Sequence, residues 1–127
     1  MQGRRRRTIT TQTELGRIEI ADTAIASLAA QAVLRSYGVV GLALPGLRAG
    51  ITRLLGRNSA RRGVVVTTDG QDVLIDLYVV LESGLRISEV ANNIRESVQY
   101  AVERALGRPV KQVNVHIQGL RVGPADA

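Results

Sequence analysis

Between Gly63 and Val122 the chain reads GVVVTTDGQDVLIDLYVVLESGLRISEVANNIRESVQYAVERALGRPVKQVNVHIQGLRV, and this stretch constrains the fold more than any other. Val64–Thr68 is rich in β-branched residues, and Asp69-Gly70 is the pair that a tight hairpin turn favours. Asp72–Leu81 follows with Val73, Ile75, Leu77, Val79 and Leu81 on one face and Leu74, Asp76, Tyr78 and Val80 on the other. A strand apolar on both sides is expected to be central and covered on both. Ile87, Val90, Ala91, Ile94, Val98, Ala101, Val102 and Ala105 then form a helical stripe, with Ser88 as expected cap and Gly107 and Pro109 as terminators. Val110–Leu120 closes the stretch as a strand with Val113, Val115 and Ile117 inward and Asn114, His116 and Gln118 outward.

Upstream, the pattern is shorter but consistent. Gly16–Ile20 alternates like a strand, and Asp22–Ser36 repeats Ala24, Ile25, Leu28, Ala29, Ala32 and Val33 on one helical face. Gly38 follows, then a brief strand at Val39–Val40. Pro45 and Gly46 break the chain, after which Leu47–Arg57 reads as a short surface helix and Asn58–Gly63 as an exposed loop. The expected class is therefore α/β in the α+β sense. It is a small β-α-β-β-α-β two-layer sandwich with both helices on one face of a mixed or antiparallel sheet.

A chain of 127 residues is expected to form one domain over 14–122, between a disordered basic arm (1–13) and a flexible tail (123–127). The core must be aliphatic, because Phe and Trp are absent and the aromatics are Tyr37, Tyr78 and Tyr100. Cysteine is absent as well, which removes disulfides, thiol nucleophiles and thiolate metal sites together. Of the formal charge of +6, Arg4, Arg5, Arg6 and Arg7 supply four units, leaving 6 − 4 = +2 for the rest. No segment reaches the roughly 20 apolar residues of a membrane span. The basic start has no apolar run behind it, so neither a signal peptide nor a twin-arginine signal is complete, and a cytoplasmic location is expected.

Candidate chemistry is sparse. His116 is the only histidine, and its neighbours on the same strand face are amides, so it reads as a solvated strand residue. One histidine and no cysteine give no metal-ligand set, and no cofactor motif follows a strand. Asp69 and Asp72 flank the hairpin turn. Asp76, mid-strand among apolar residues, reads as an edge position, a partner of a cross-strand Arg, or part of an interface. Gly38-Val39-Val40-Gly41 matches G-x-x-G in letters only, lacking the flanking helices of a nucleic-acid clamp. The residues placed to meet an anionic surface are Arg4, Arg5, Arg6, Arg7, Arg48, Arg53, Arg57, Arg61 and Arg62. They would serve nucleic acid through the Arg run, or membrane head groups through Leu47–Arg57.

The order Ile87, Glu89, Val90, Ile94, Val98, Val102, Glu103, Gly107, Val110, Val113, Asn114, Val115, Ile117, Gly119 resembles the C-terminal signature of the alkaline shock protein family, also called the envelope stress response family. Gly16, Ile18, Ile20, Gly38-Val39 and Gly63-Val64 look like its N-terminal half, so the resemblance spans roughly Gly16–Val122. Leu42–Arg62 and the Arg arm match no part of it. The resemblance implies a non-catalytic scaffold linked to cell-envelope stress, cytoplasmic or peripheral at the inner face of the membrane. Its expected partners are proteins: other copies of itself and a membrane-anchored family member. No catalytic residues come with the family, so catalytic, cofactor and metal sites are all expected to be none. A nucleic-acid-binding module built on the N-terminal Arg run is the alternative.

Overall fold

The computed structural model describes residues 8–45 and 54–122. Strands β1 (Thr8–Thr13) and β2 (Gly16–Ala21) lead into helix α1 (Asp22–Leu34) and strand β3 (Val39–Leu42). A 3-10 helix (Arg57–Gly63) then precedes β4 (Val64–Asp69), β5 (Asp72–Glu82), α2 (Ile87–Leu106) and β6 (Gln112–Arg121). The architecture is the α+β two-layer arrangement expected, with α1 and α2 packed side by side on the main sheet.

β5 is the centre of that sheet. Its residues 74–77 pair antiparallel with β4 and parallel with β6, so those two strands lie on opposite edges. Residues 79–81 pair with both β3 and β6, so β3 continues the edge that β4 begins. β3 and β4 thus lie end to end along one side of β5, and β6 runs the length of the other. The parallel β5–β6 pairing is possible because α2 supplies the long crossover that parallel strands need.

The odd residues of β5 face the helices. Val73, Ile75, Leu77 and Val79 have no solvent exposure, and they meet Ile25, Ala29 and Val33 of α1 with Ile94, Val98 and Val102 of α2 in one aliphatic cluster. At about 25 cal/mol per Å² of apolar surface, this layer is the main source of stability in a core without Phe or Trp. α1 covers the β3 and β4 side, whereas α2 covers β6. Ala26, Ala29, Ala30 and Ala32 of α1 are all buried, with Ala32 on the side of α2 and Ala26 and Ala30 on the side of the 3-10 helix.

The end of α2 shows why its late glutamate matters. Gly107 takes a left-handed conformation (φ +71°), and its N–H donates to the Glu103 carbonyl at 2.8 Å. The Glu103 carboxylate accepts from the Val110 N–H at 2.9 Å and from Gln99 Nε2 at 3.2 Å. One side chain therefore ties the helix end to the segment entering β6. The start of α2 differs from expectation. The cap position is Arg86, without a side-chain cap, and Ser88 lies inside the first turn. Glu89 binds Arg86 there at 2.9 Å instead.

Two further expectations are corrected. The arm assigned to 1–13 is ordered from Thr8: Thr8–Thr13 pairs with Gly16–Ala21 in a two-stranded antiparallel sheet of its own. The reason is Ile9, which opposes Ile20 and is only 2% exposed, anchoring a Thr-rich strand to the main core. Gly16 (φ +146°) makes the turn, with Leu15 N–H donating to Thr13 Oγ1 at 3.2 Å. Residues 1–7 and 123–127 lie outside the described residues. The loop expected at Asn58–Gly63 is a 3-10 helix whose Ala60 and Gly63 are buried against the core. The short helix expected at Leu47–Arg57 falls largely on 46–53, outside the described residues.

Candidate functional site

Even-numbered residues of β5 point away from the helices, and on this helix-free face the register brings together side chains far apart in sequence. Asp76 lies beside Asn114 of β6, and Tyr78 beside His116. His116 Nε2 sits 2.9 Å from Asp76 Oδ1, which also accepts from Asn114 Nδ2 at 3.0 Å. The His116 ring stacks on Tyr78 with centroids 4.5 Å apart and planes 12° from parallel. Gln112 Nε2 donates in turn to Asn114 Oδ1 at 3.1 Å, completing a polar ladder. His116 is thus half-buried and paired, rather than the free strand residue that its own strand suggested. Asp76 has neither an edge position nor a cross-strand Arg, because its β4 neighbour is Val65.

Asp76 and His116 form the carboxylate–imidazole half of a catalytic relay. A general base of that kind acts on a nucleophile or bound water held within reach, and the neighbours here are hydrogen-bonded amides and a stacked aromatic ring. Among the described residues there is no group of three or more His, Cys, Asp or Glu able to hold a metal ion. What the ladder does achieve is register: a mis-slid β6 would leave Asp76 facing an apolar neighbour.

The basic residues gather on the opposite side. Arg57 and Arg61 of the 3-10 helix and Arg35 at the end of α1 line one groove of about 540 Å³, floored by Ala30 and Ala60. Arg62 lines the adjoining hollow with Arg61, Asp22 and Thr23. None of Arg35, Arg57, Arg61 and Arg62 makes an ion pair among the described residues, whereas Arg17, Arg86 and Arg95 each meet a glutamate. Of the arginines singled out from sequence, Arg57, Arg61 and Arg62 come together here. Arg4, Arg5, Arg6, Arg7, Arg48 and Arg53 lie outside the described residues. Arg35 was not among them. Its signal was the row Ser27, Gln31, Arg35, spaced four apart along α1 and its C-cap, which puts polar groups on one stripe of a helix otherwise apolar after Thr23.

No helix among the described residues is long and apolar enough to cross a membrane. The chain is thus a two-layer α+β fold with a polar ladder on its helix-free sheet face and an arginine-lined groove beside α1. The chain belongs to the alkaline shock protein 23 family, described as having a cell envelope-related function, whose model matches residues 10–122. It is 38% identical to the uncharacterized protein YloU of Bacillus subtilis over 112 residues, covering 87% of this chain and 93% of that one. It is also 34% identical to the uncharacterized protein Spy1614 of Streptococcus pyogenes over 116 residues, covering 91% and 96%. Among solved structures it is similar to variants of the MamM CTD. One superposes with a TM-score of 0.50 at 20% identity, covering 80% of this chain and 96% of that one. A zinc form gives a TM-score of 0.50 at 19% identity, covering 80% and 89%. These likenesses establish a shared fold.

Proposed function

We propose that this protein is a non-catalytic interaction module of the cell envelope, working by self-association through the outer edge of β6. The observation that carries the reading is that edge. β6 is ten residues long and pairs only with β5 among the described strands. Proteins that avoid edge pairing shorten the edge strand or place proline and charge on it. From Gln112 to Ile117 this strand has neither device, and the bulge comes only at Gln118. Ile117, Leu120 and Val122 are 36%, 48% and 62% exposed, an apolar seam beside an open ladder of backbone groups.

A second copy offers the same edge, and two such edges related by a two-fold axis are self-complementary. Assembly then needs no special side chains, which fits a chain whose polar residues are spent on register. Membership in an envelope-related family favours action at the inner face of the membrane through a membrane-anchored protein partner. The test is size-exclusion chromatography with light scattering on the wild type and Leu120→Lys. The wild type is expected as a concentration-dependent dimer, and the charged edge is expected to shift it to monomer. A wild type that stays monomeric at the highest attainable concentration overturns the reading.

A further inference from the structure

We propose that the groove between α1 and the 3-10 helix is an anion site that binds a phosphoryl group. Three guanidinium groups, from Arg35, Arg57 and Arg61, line it together with Gln31 and Asn58, and among the described residues no carboxylate does. Three like charges held around one hollow repel each other, and none is offset by an ion pair among the described residues. The nearest acidic group by lining is Asp22, in the adjoining hollow. It shares that hollow with Arg61 and Arg62, so one carboxylate stands against four guanidinium groups across the two hollows. The groove is therefore left strongly positive, and an anion relieves that cost.

The chemistry of the lining selects the kind of anion. Guanidinium groups present planar forks that match phosphoryl oxygens two at a time, and such charge-assisted contacts are about twice as strong as neutral ones. The carboxamides of Gln31 and Asn58 add neutral donors for remaining oxygens. A volume near 540 Å³ is more than a bare phosphate fills and falls within the range of small-molecule sites. Leu34, 38% exposed at the rim, gives the group attached to the phosphate an apolar wall. A soluble phosphorylated molecule and a phospholipid head group share this chemistry. The site is independent of β6, which lies on the other edge of the sheet.

Isothermal titration of the full chain with pyrophosphate, and flotation with phosphatidylglycerol against phosphatidylcholine vesicles, test the site and its source. Arg35→Gln, Arg57→Gln and Arg61→Gln are each expected to weaken binding about tenfold, ~1.4 kcal/mol. Arg108→Gln, which makes the same charge change beside Gln71, is expected to leave it unchanged. Circular dichroism checks that each variant is folded. Groove-dependent binding of pyrophosphate supports a soluble ligand, and groove-dependent binding of phosphatidylglycerol vesicles alone supports a lipid one. Binding to neither, or binding indifferent to all three substitutions, overturns the proposal. So does groove-dependent binding of RNA alone, which would make this a nucleic-acid face.

Discussion

Gly63 is the joint between the arginine-bearing 3-10 helix and the sheet, and replacing it with alanine isolates one physical effect. A Cβ there would lie 2.8 Å from the Ala43 carbonyl oxygen and 2.9 Å from Leu42 Cβ. Both atoms are fixed by the backbone of β3, so no flexible side chain can swing aside. Overpacking of this kind costs about 1–3 kcal/mol through forced backbone shifts. Against it, Gly→Ala reduces unfolded-state entropy and returns ~0.4–1 kcal/mol. The net expectation is a loss of roughly 1–2 kcal/mol, or about 4–8 °C in Tm at roughly 4 °C per kcal/mol for a chain of this size. Gly119→Ala is the matched control. It lies on β6 with nothing within 4 Å of its added Cβ and without a positive φ. There the entropy term acts alone, and the change is expected to be neutral or stabilising by up to ~1 kcal/mol. Urea denaturation read by circular dichroism compares the two, with an unchanged slope showing that the unfolded state has not altered. If Gly63→Ala is as stable as wild type, the β3 contact does not confine this position and the argument fails.

Two further outcomes test the fold and its polar ladder. Glu103→Ala leaves the Val110 N–H without its acceptor and is expected to cost about 1–3 kcal/mol, whereas Glu103→Gln, which keeps an acceptor, costs less. Equal losses in the two denaturation curves would show that the bond to Val110 is not what the side chain contributes. A double-mutant cycle with Asp76→Ala and His116→Ala is expected to give a coupling of about 0.2–1 kcal/mol, because the side chains keep 26% and 40% exposure and solvent screens the pair. A coupling near zero would show that the ladder, rather than this contact, fixes the register.

The long elements were legible because each carries a complete local pattern. α2 shows an unbroken apolar stripe closed by Gly107, and β5 carries an aliphatic residue at every odd position from Val73 to Leu81. What escaped notice depended on partners distant in sequence. His116 and Asp76 are 40 residues apart, and only the parallel register of β5 with β6 joins them. Both residues fall on the outward parity of their strands, so pairing the strands in parallel would have been signal enough. β1 was missed because a single buried Ile9 outweighs a run of threonines and a neighbouring charge cluster. The 3-10 helix was missed because Asn58, Ser59 and Gly63 are loop formers by composition, while Ala60 beneath them is held by α1 packing. Arg35 is a single charge at the end of α1, and only the packing of α1 against the 3-10 helix brings it beside Arg57 and Arg61.

The placement of the two proposed surfaces has a consequence for binding. α1 and the 3-10 helix sit over the β3 and β4 side of the sheet, and β6 forms the opposite edge. Pairing of two chains through β6 therefore leaves each arginine groove open and places one at either end of the dimer. A site of modest affinity presented twice on a rigid frame gains avidity for a surface that repeats its ligand, by ~10²–10⁴ where both sites engage together. A soluble phosphorylated molecule brings only one phosphoryl group to each groove and gains nothing from pairing. The two proposals thus become separable in one experiment. Leu120→Lys is expected to weaken binding to phosphatidylglycerol vesicles while leaving the affinity for pyrophosphate unchanged. Equal vesicle binding by monomer and dimer would show that the two grooves do not engage one surface together.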